Sequence, residues 1–338
     1  MNKLAICMII KNEEHIIERC LDSIKNYISY WIICDTGSND NSINIIKKKL
    51  INIPGQLFQD NWIDFGYNRN LALKRSKEIC KLQKINWLLL ADADYEFIIN
   101  DLFFLNNLEI STPAYLLEWT DDYVTGNKLI NVNYDWYYIG KTHEFIICHN
   151  VDDKTLPILK NIKIKEHYDG FYRKIKSEND LKLLNEQYSI DKNPRWIFFI
   201  ANTYFIIQKY KEAHNAYLLY LKQKSINIEE IYMAYIRSEI VNRFSKKDYS
   251  LEDVIICLQN MEKAATIFPL RPEAYYISLC GLFELKRFDL ASQIVINTKI
   301  DQIDWHQITP DKFNITIQID PVMWNTLPKM INYLKNYK

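Results

Sequence analysis

The feature that most constrains this chain is a change of hydrophobic period near its middle. Up to about residue 165, short apolar runs alternate with amphipathic stretches: Leu4 to Ile10 and then 13 to 27, Trp31 to Cys34 and then 42 to 50, Gln56 to Phe58 and then 66 to 80, and Trp87 to Leu90. Strand alternating with helix predicts an α/β domain built on a mostly parallel sheet with helices on both faces. Such sheets place ligands outside the carboxyl ends of their strands. Later strand-like pieces, Ala114 to Trp119, Lys128 to Tyr138 and Ile158 to Ile164, predict an added mixed or antiparallel portion.

From about residue 178 the spacing is helical, without strand punctuation. Asn193-Pro194 ahead of Trp196, Tyr204, Tyr210, Ala213 and Tyr217 predicts a helix, a turn near Gln208-Lys209-Tyr210 and a second helix. Pro272 ahead of Ala274, Tyr275, Leu279, Gly281, Phe288 and Ala291 repeats that scheme. The two units resemble tetratricopeptide repeats, with a degenerate unit between them. An ordinary helical bundle is the alternative. The expected division is 1–175 for the α/β domain and 176–338 for an all-α helical-repeat domain.

Forty-two basic and forty-two acidic side chains cancel, which leaves no electrostatic footprint for nucleic acid. No apolar run is long enough to be a transmembrane segment, and the first is too short for a signal-peptide core. The seven cysteines are scattered through apolar runs without a C-x-x-C pair, so they read as reduced core residues of a cytoplasmic protein.

Four segments at strand ends carry polar residues of converging chemistry. Lys11, Asn12, Glu13 and Glu14 close the first strand and open a helix, offering side chains and backbone N–H groups to a nucleotide. Asp35-Thr36-Gly37-Ser38-Asn39-Asp40 puts a carboxylate at the end of a buried strand, where it can accept from a base N–H or a ribose hydroxyl. Arg69, in Gly66-Tyr67-Asn68-Arg69-Asn70, stands near a helix start with a guanidinium suited to a diphosphate, whereas Arg75 is expected to face water. Asp92 and Asp94 end the apolar run of residues 86–91, on one face if the strand stays extended, and offer oxygens to a hard divalent cation. Turn closure and helix capping are the plainer readings of these segments.

Taken in order, these motifs resemble glycosyltransferase family 2, with the GT-A fold, over about 170 residues. The resemblance implies base or ribose contacts from Asp35, with Lys11, Asn12 and Glu13 nearby, diphosphate contacts near Arg69, a donor-ribose contact from Asp92 and a Mn2+ or Mg2+ ligand in Asp94. A G-x-x-H-E segment, Gly140 to Glu144, is similar to one in members with C-terminal helical repeats and implies that Glu144 is the general base. Ile164 to Gly170 is similar to the family's I-x-H-x-G segment and implies His167 as a metal ligand or diphosphate contact. Where the family carries Arg-Asn before the helices, this chain has Glu178-Asn179-Asp180, leaving Arg173, Lys174 and Lys176 as possible substitutes. The aromatic cluster Trp119, Tyr123, Trp136, Tyr137 and Tyr138, beside His143, is the expected acceptor platform, though core packing claims most such rings.

The expected function is therefore inverting, metal-assisted transfer of a sugar from a nucleoside-diphosphate sugar, UDP-sugars foremost, to a glycan, lipid or protein. The helical half is expected to hold a protein partner or a second copy. The alternative is a decayed transferase serving as a helical scaffold.

Overall fold

The structure, a computed structural model, describes residues 2–335 apart from 121–123, 153–154, 168, 170–175, 226, 270 and 304–320, and apart from the side chains of 124–127, 176 and 321–325. The chain divides into two compact units, Met1–Asn179 and Asp180–Lys338.

In the first unit β1 (Leu4–Ile10), β2 (Tyr30–Asp35), β3 (Gly55–Gln59) and β4 (Trp87–Ala91) are parallel neighbours in the order β3-β2-β1-β4. Their connections run through α1 (Ile17–Ile24), α2 (Ser42–Lys49) and α3 (Phe65–Gln83). Period two sorts the strand residues between two apolar layers. Leu4, Ile6, Met8, Trp31, Ile33, Trp87 and Leu89 pack on the side of α1 and α2, while Ala5, Cys7, Ile32, Cys34, Leu88 and Leu90 pack on the side of α3. A one-residue slip of β1 would exchange its two sets of side chains, so burial on both faces fixes the register.

Beyond β4 the sheet becomes mixed, as the looser spacing of that region predicts. β5 (Tyr95–Ile99), β6 (Ala114–Trp119), β7 (Val124–Asn131) and β10 (Ile158–Glu166) complete eight strands among the described residues, in the order β3-β2-β1-β4-β7-β6-β10-β5. β8 (Trp136–Ile139) and β9 (Phe145–Cys148) form a separate antiparallel hairpin. The single run expected over Lys128 to Tyr138 is thus two strands. Buried Asn131 breaks it: its side-chain amide donates to Ile110 O at 2.8 Å, and its side-chain oxygen accepts from Asn133 N at 3.1 Å. An Asx turn of this kind competes with continuation of a ladder.

In the second unit, α4 (Lys176–Asp191), within which the division falls, is followed by helix pairs: α5 (Pro194–Ile206) with α6 (Tyr210–Leu221), α7 (Ile228–Ser245) with α8 (Leu251–Ile267), and α9 (Pro272–Glu284) with α10 (Phe288–Thr298). Each helix from α5 to α10 packs on the next, a tetratricopeptide-like stack, and α11 (Pro321–Lys335) packs on α9 and α10. Proline opens α5 and α9 at the helix start, where its missing N–H has no intrahelical partner to lose. None of the described helices is long and apolar enough to cross a membrane.

Candidate functional site

The carboxyl ends of the parallel strands gather the polar segments singled out above. At the end of β1, Asn12 takes a left-handed φ of 57° and its side-chain oxygen accepts from Asn39 N at 2.8 Å. The N–H groups of Asn12, Glu13 and Glu14 donate to Ser38 Oγ at 2.9 Å, Ser42 Oγ at 2.7 Å and Asp40 Oδ2 at 3.0 Å. The expectation that these N–H groups stand open to a nucleotide is corrected here: the turn after β2 consumes them. Asp35, 1% exposed, accepts from Ser38 N at 3.1 Å and closes that same turn. The two turns are therefore one interlocked rim.

On the other side of β1, Asp64 caps α3 by accepting from Tyr67 N at 2.7 Å, a cap worth roughly 1 kcal/mol. Arg75 does not face water. Its guanidinium is bidentate on Asp60, at 2.5 and 2.7 Å, and lies 4.3 Å over the Phe58 ring.

Arg69 is the hub. Its Nε donates to Glu144 Oε1 at 2.6 Å and its Nη2 to Asp92 Oδ1 at 2.7 Å, with its side chain only 15% exposed. Glu144 ends the loop of the β8–β9 hairpin, whose tight turn uses Gly140 at φ 98° and His143 at φ 50°. Three ties fasten that hairpin to the start of α3. Asn70 exchanges bonds with the Tyr138 backbone at 2.8 and 2.9 Å, and Phe65 N donates to Lys141 O at 2.9 Å. Gly66 lies so near Gly140 that an added Cβ would come within 2.1 Å of its carbonyl oxygen. These ties set the separation of Arg69 from Glu144.

The chain does not stay extended through the acidic step. β4 ends at Ala91, Tyr95 N donates to Asp92 O at 3.2 Å, and the resulting turn leads into β5. Lys128, a residue that the sequence did not flag, reaches the same place and donates to Tyr95 Oη at 3.0 Å. Burial alone would raise the Asp92 carboxyl, but the Arg69 and Lys128 cations outweigh it and hold it below the ordinary carboxylate range. Burial lowers the Lys128 ammonium despite the attraction of Asp92. Arg69 is pressed downward by burial, yet Asp92 and Glu144 keep it well above its usual value.

His167 meets the acidic step through its backbone, with His167 N donating to Asp94 O at 3.1 Å, while its Nε2 lies 2.7 Å from Glu96 Oε2. Among the described residues no group of three His, Cys, Asp or Glu side chains is placed to hold a metal. The protein side of a cation site would thus be Asp94 with His167. That set suits an ion whose shell donor phosphates complete.

Trp136 is corrected as an acceptor residue. It is 3% exposed and its indole N–H donates to Asn131 O at 3.1 Å, so its ring is core. Tyr138 is half-buried, with Arg69 5.7 Å from its ring centre, and Tyr137 is bonded to His149. Trp119 packs edge-on to Tyr95 at 5.4 Å. Tyr123, Arg173, Lys174 and the Lys176 side chain lie outside the described residues. No cysteine is paired, and burial pushes the Cys7 thiol up to about 11, so the thiols nearest the site are inert.

Residues 5–103 match the family model described as glycosyl transferase family 2, a span that includes the interlocked rim, Arg69 and the acidic step. The chain carries a glycosyltransferase family 2 domain. The SPbeta prophage-derived glycosyltransferase SunS of Bacillus subtilis (strain 168) is 26% identical to it over 238 residues, covering 65% of this chain and 52% of SunS. The chain spans about half the length of the curated relatives it matches. A TPR repeat-containing protein of Synechococcus elongatus is 31% identical over 100 residues, 29% of this chain and 22% of that protein. Among solved structures, the mannosyltransferase PcManGT from Pyrobaculum calidifontis in complex with GDP-Man and Mn2+ is similar at 11% identity with a TM-score of 0.39, covering 85% of this chain and 87% of that one. The domain assignment rests on the sequence matches.

Proposed function

We propose that the family 2 domain transfers a sugar, with inversion, from a nucleoside-diphosphate sugar to a hydroxyl of a glycan, lipid or protein acceptor, with a UDP-sugar as the favoured donor. The observation that carries this reading is the Arg69 guanidinium joining Asp92 to Glu144 at the carboxyl ends of the sheet. Asp35, with Lys11, Asn12 and Glu13 on the rim, is the proposed nucleoside contact, and Asp92 the proposed ribose contact. Arg69 has five N–H groups, two of which hold Asp92 and Glu144. It serves first to space the ribose contact from the base, and a donor diphosphate competes for the rest.

Glu144 takes the proton of the acceptor hydroxyl as that oxygen attacks the anomeric carbon. The bond from that carbon to the diphosphate oxygen breaks on the opposite face, so the configuration inverts. Asp94 and His167 are the proposed holders of Mn2+ or Mg2+, which when bound offsets charge on the leaving diphosphate. Tyr138 and His143, neighbours of Glu144 in the hairpin, are the proposed acceptor contacts. The helical unit is proposed to receive a protein partner or a second copy, and the cytoplasm is the proposed site of action.

A donor-hydrolysis screen across nucleotide sugars with Mn2+ tests the reading and names base and sugar together. Asp94→Ala is expected to abolish metal-dependent turnover, and unchanged turnover would sink the assignment. Thermal shift with UDP, GDP and dTDP, with and without Mn2+, separates enzyme from scaffold: no shift with any of them favours a scaffold.

A further inference from the structure

The geometry points to Glu96 as the residue that decides which nitrogen of His167 is offered to a divalent cation, a reading that rests on the proposed donor site and deepens it. β10 and β5 pair antiparallel with Glu166 opposite Tyr95 and Lys165 opposite Glu96. The bond from His167 N to Asp94 O, 3.1 Å, carries that pairing one residue further. Residues directly opposite in an antiparallel pair share a face, and alternate residues of each strand share it too. Glu96 and Lys165 therefore stand on one face, and the backbone bond brings His167 and Asp94 together at the end of that pairing.

Glu96 Oε2 lies 2.7 Å from His167 Nε2 and 3.9 Å from Lys165 Nζ. An ionised carboxylate only accepts, so the proton of a neutral His167 ring sits on Nε2 and leaves the Nδ1 lone pair bare. Histidines that ligate metals hand their other ring N–H to a carboxylate or carbonyl in this way, which fixes the tautomer and raises ligand basicity. Glu96 is thus a positioning residue, with His167 Nδ1 and Asp94 as the protein ligands and donor phosphates as the remainder. A set that includes imidazole favours a transition ion over Mg2+. An ion pair serving only to brace the sheet edge would need neither a fixed tautomer nor a bare Nδ1.

Two measurements on the full chain test this. Proton–nitrogen correlation spectra of the histidine rings, in mildly alkaline buffer without metal, are expected to show His167 as the Nε2–H tautomer; the Nδ1–H tautomer overturns the proposal without any variant. Mn2+ is then titrated into protein saturated with UDP, GDP or dTDP and followed by electron paramagnetic resonance. Wild type is expected to show coupling to one histidine nitrogen, lost in His167→Ala. Glu96→Ala is expected to weaken Mn2+ binding roughly 10–100-fold, and Glu96→Gln, whose amide oxygen accepts the same N–H, to restore most of it. Mn2+ held with the nucleotide but without nitrogen coupling, or held equally by Glu96→Ala, overturns the role of Glu96 and leaves the donor site standing. Wild type that binds no Mn2+ with any of the three nucleotides overturns both.

Discussion

Arg69 and Arg271 each gather two carboxylates, the first Asp92 and Glu144 in the α/β unit, the second Glu229 and Glu273 in the helical unit. Their surroundings differ. Arg271 is 0% exposed, stacked 4.1 Å from the Tyr232 ring, and Tyr232 in turn donates to Glu273 at 3.0 Å. The Arg69 cluster draws its partners from a strand end and a hairpin loop, and the Asp92 side chain keeps 28% of its surface. Each cluster has one carboxylate that water reaches, Glu229 at 26% and Asp92 at 28%, but Arg271 itself is sealed at 1% and can only hold its neighbours together, whereas Arg69 at 15% can trade partners with a ligand. One ion-pair chemistry serves as lock or as site according to what water can reach.

The sharpest way to break that comparison is Glu144→Gln, which keeps an oxygen for Arg69 to bond but cannot take a proton. Turnover is expected to fall roughly 10²–10⁴-fold while the melting temperature barely moves. A large stability loss with little loss of rate would make this cluster a lock as well. Arg271→Ala should do the reverse, leaving the buried Glu273 carboxylate without its cation at about 3–5 kcal/mol, read from urea denaturation. Arg69→Ala should cost less stability, since its carboxylates can rehydrate, within the ~0.5–3 kcal/mol of ordinary substitutions, yet abolish turnover in the same assay.

The smallest effects concern pH. Burial raises the Glu239 carboxyl, against the bond that it accepts from Asn260 at 2.6 Å. A folded pKa above the unfolded value means stability fully present below about pH 4.3 and lost as pH rises through the folded pKa. Glu239→Gln, which keeps an acceptor for Asn260, should therefore stabilise the chain at pH 7.5 and not at pH 4, by denaturation at both. Asp92 has the opposite sign, because its folded pKa is depressed: its contribution is present above about pH 3.9 and lost below. Asp92→Asn should flatten the acid limb of the stability curve there, and an unchanged limb would mean that Arg69 gives this carboxylate no net support.

Legibility in the sequence followed burial. β1, β2 and β4 are apolar runs buried on both faces, and their ends fall within a residue or so of the expected ones. β5 and β9 escaped notice because five and four residues with mixed exposure carry too little period. Asp92 and Asp94 stood out beside an apolar run, whereas Lys128, one lysine in a strand, gives no local signal. Glu96 could have been found by carrying the same period of two one step past Asp94. Trp136 was misread because composition cannot tell a ring that stacks on a sugar from one that fills a core. The loss of the Asn12, Glu13 and Glu14 N–H groups to Ser38, Ser42 and Asp40 joins segments 26–29 residues apart, beyond the reach of any local pattern.

The ties between the start of α3 and the β8–β9 hairpin join residues 68 to 76 positions apart. Chains are made from the N-terminus, and domains fold as their segments become available. The parallel strands and the rim can close once residue 91 has appeared, but Arg69 must wait for Glu144. A nascent chain halted between these points would hold a formed rim without Glu144, so on the roles proposed above it could take up a donor before it could spend one.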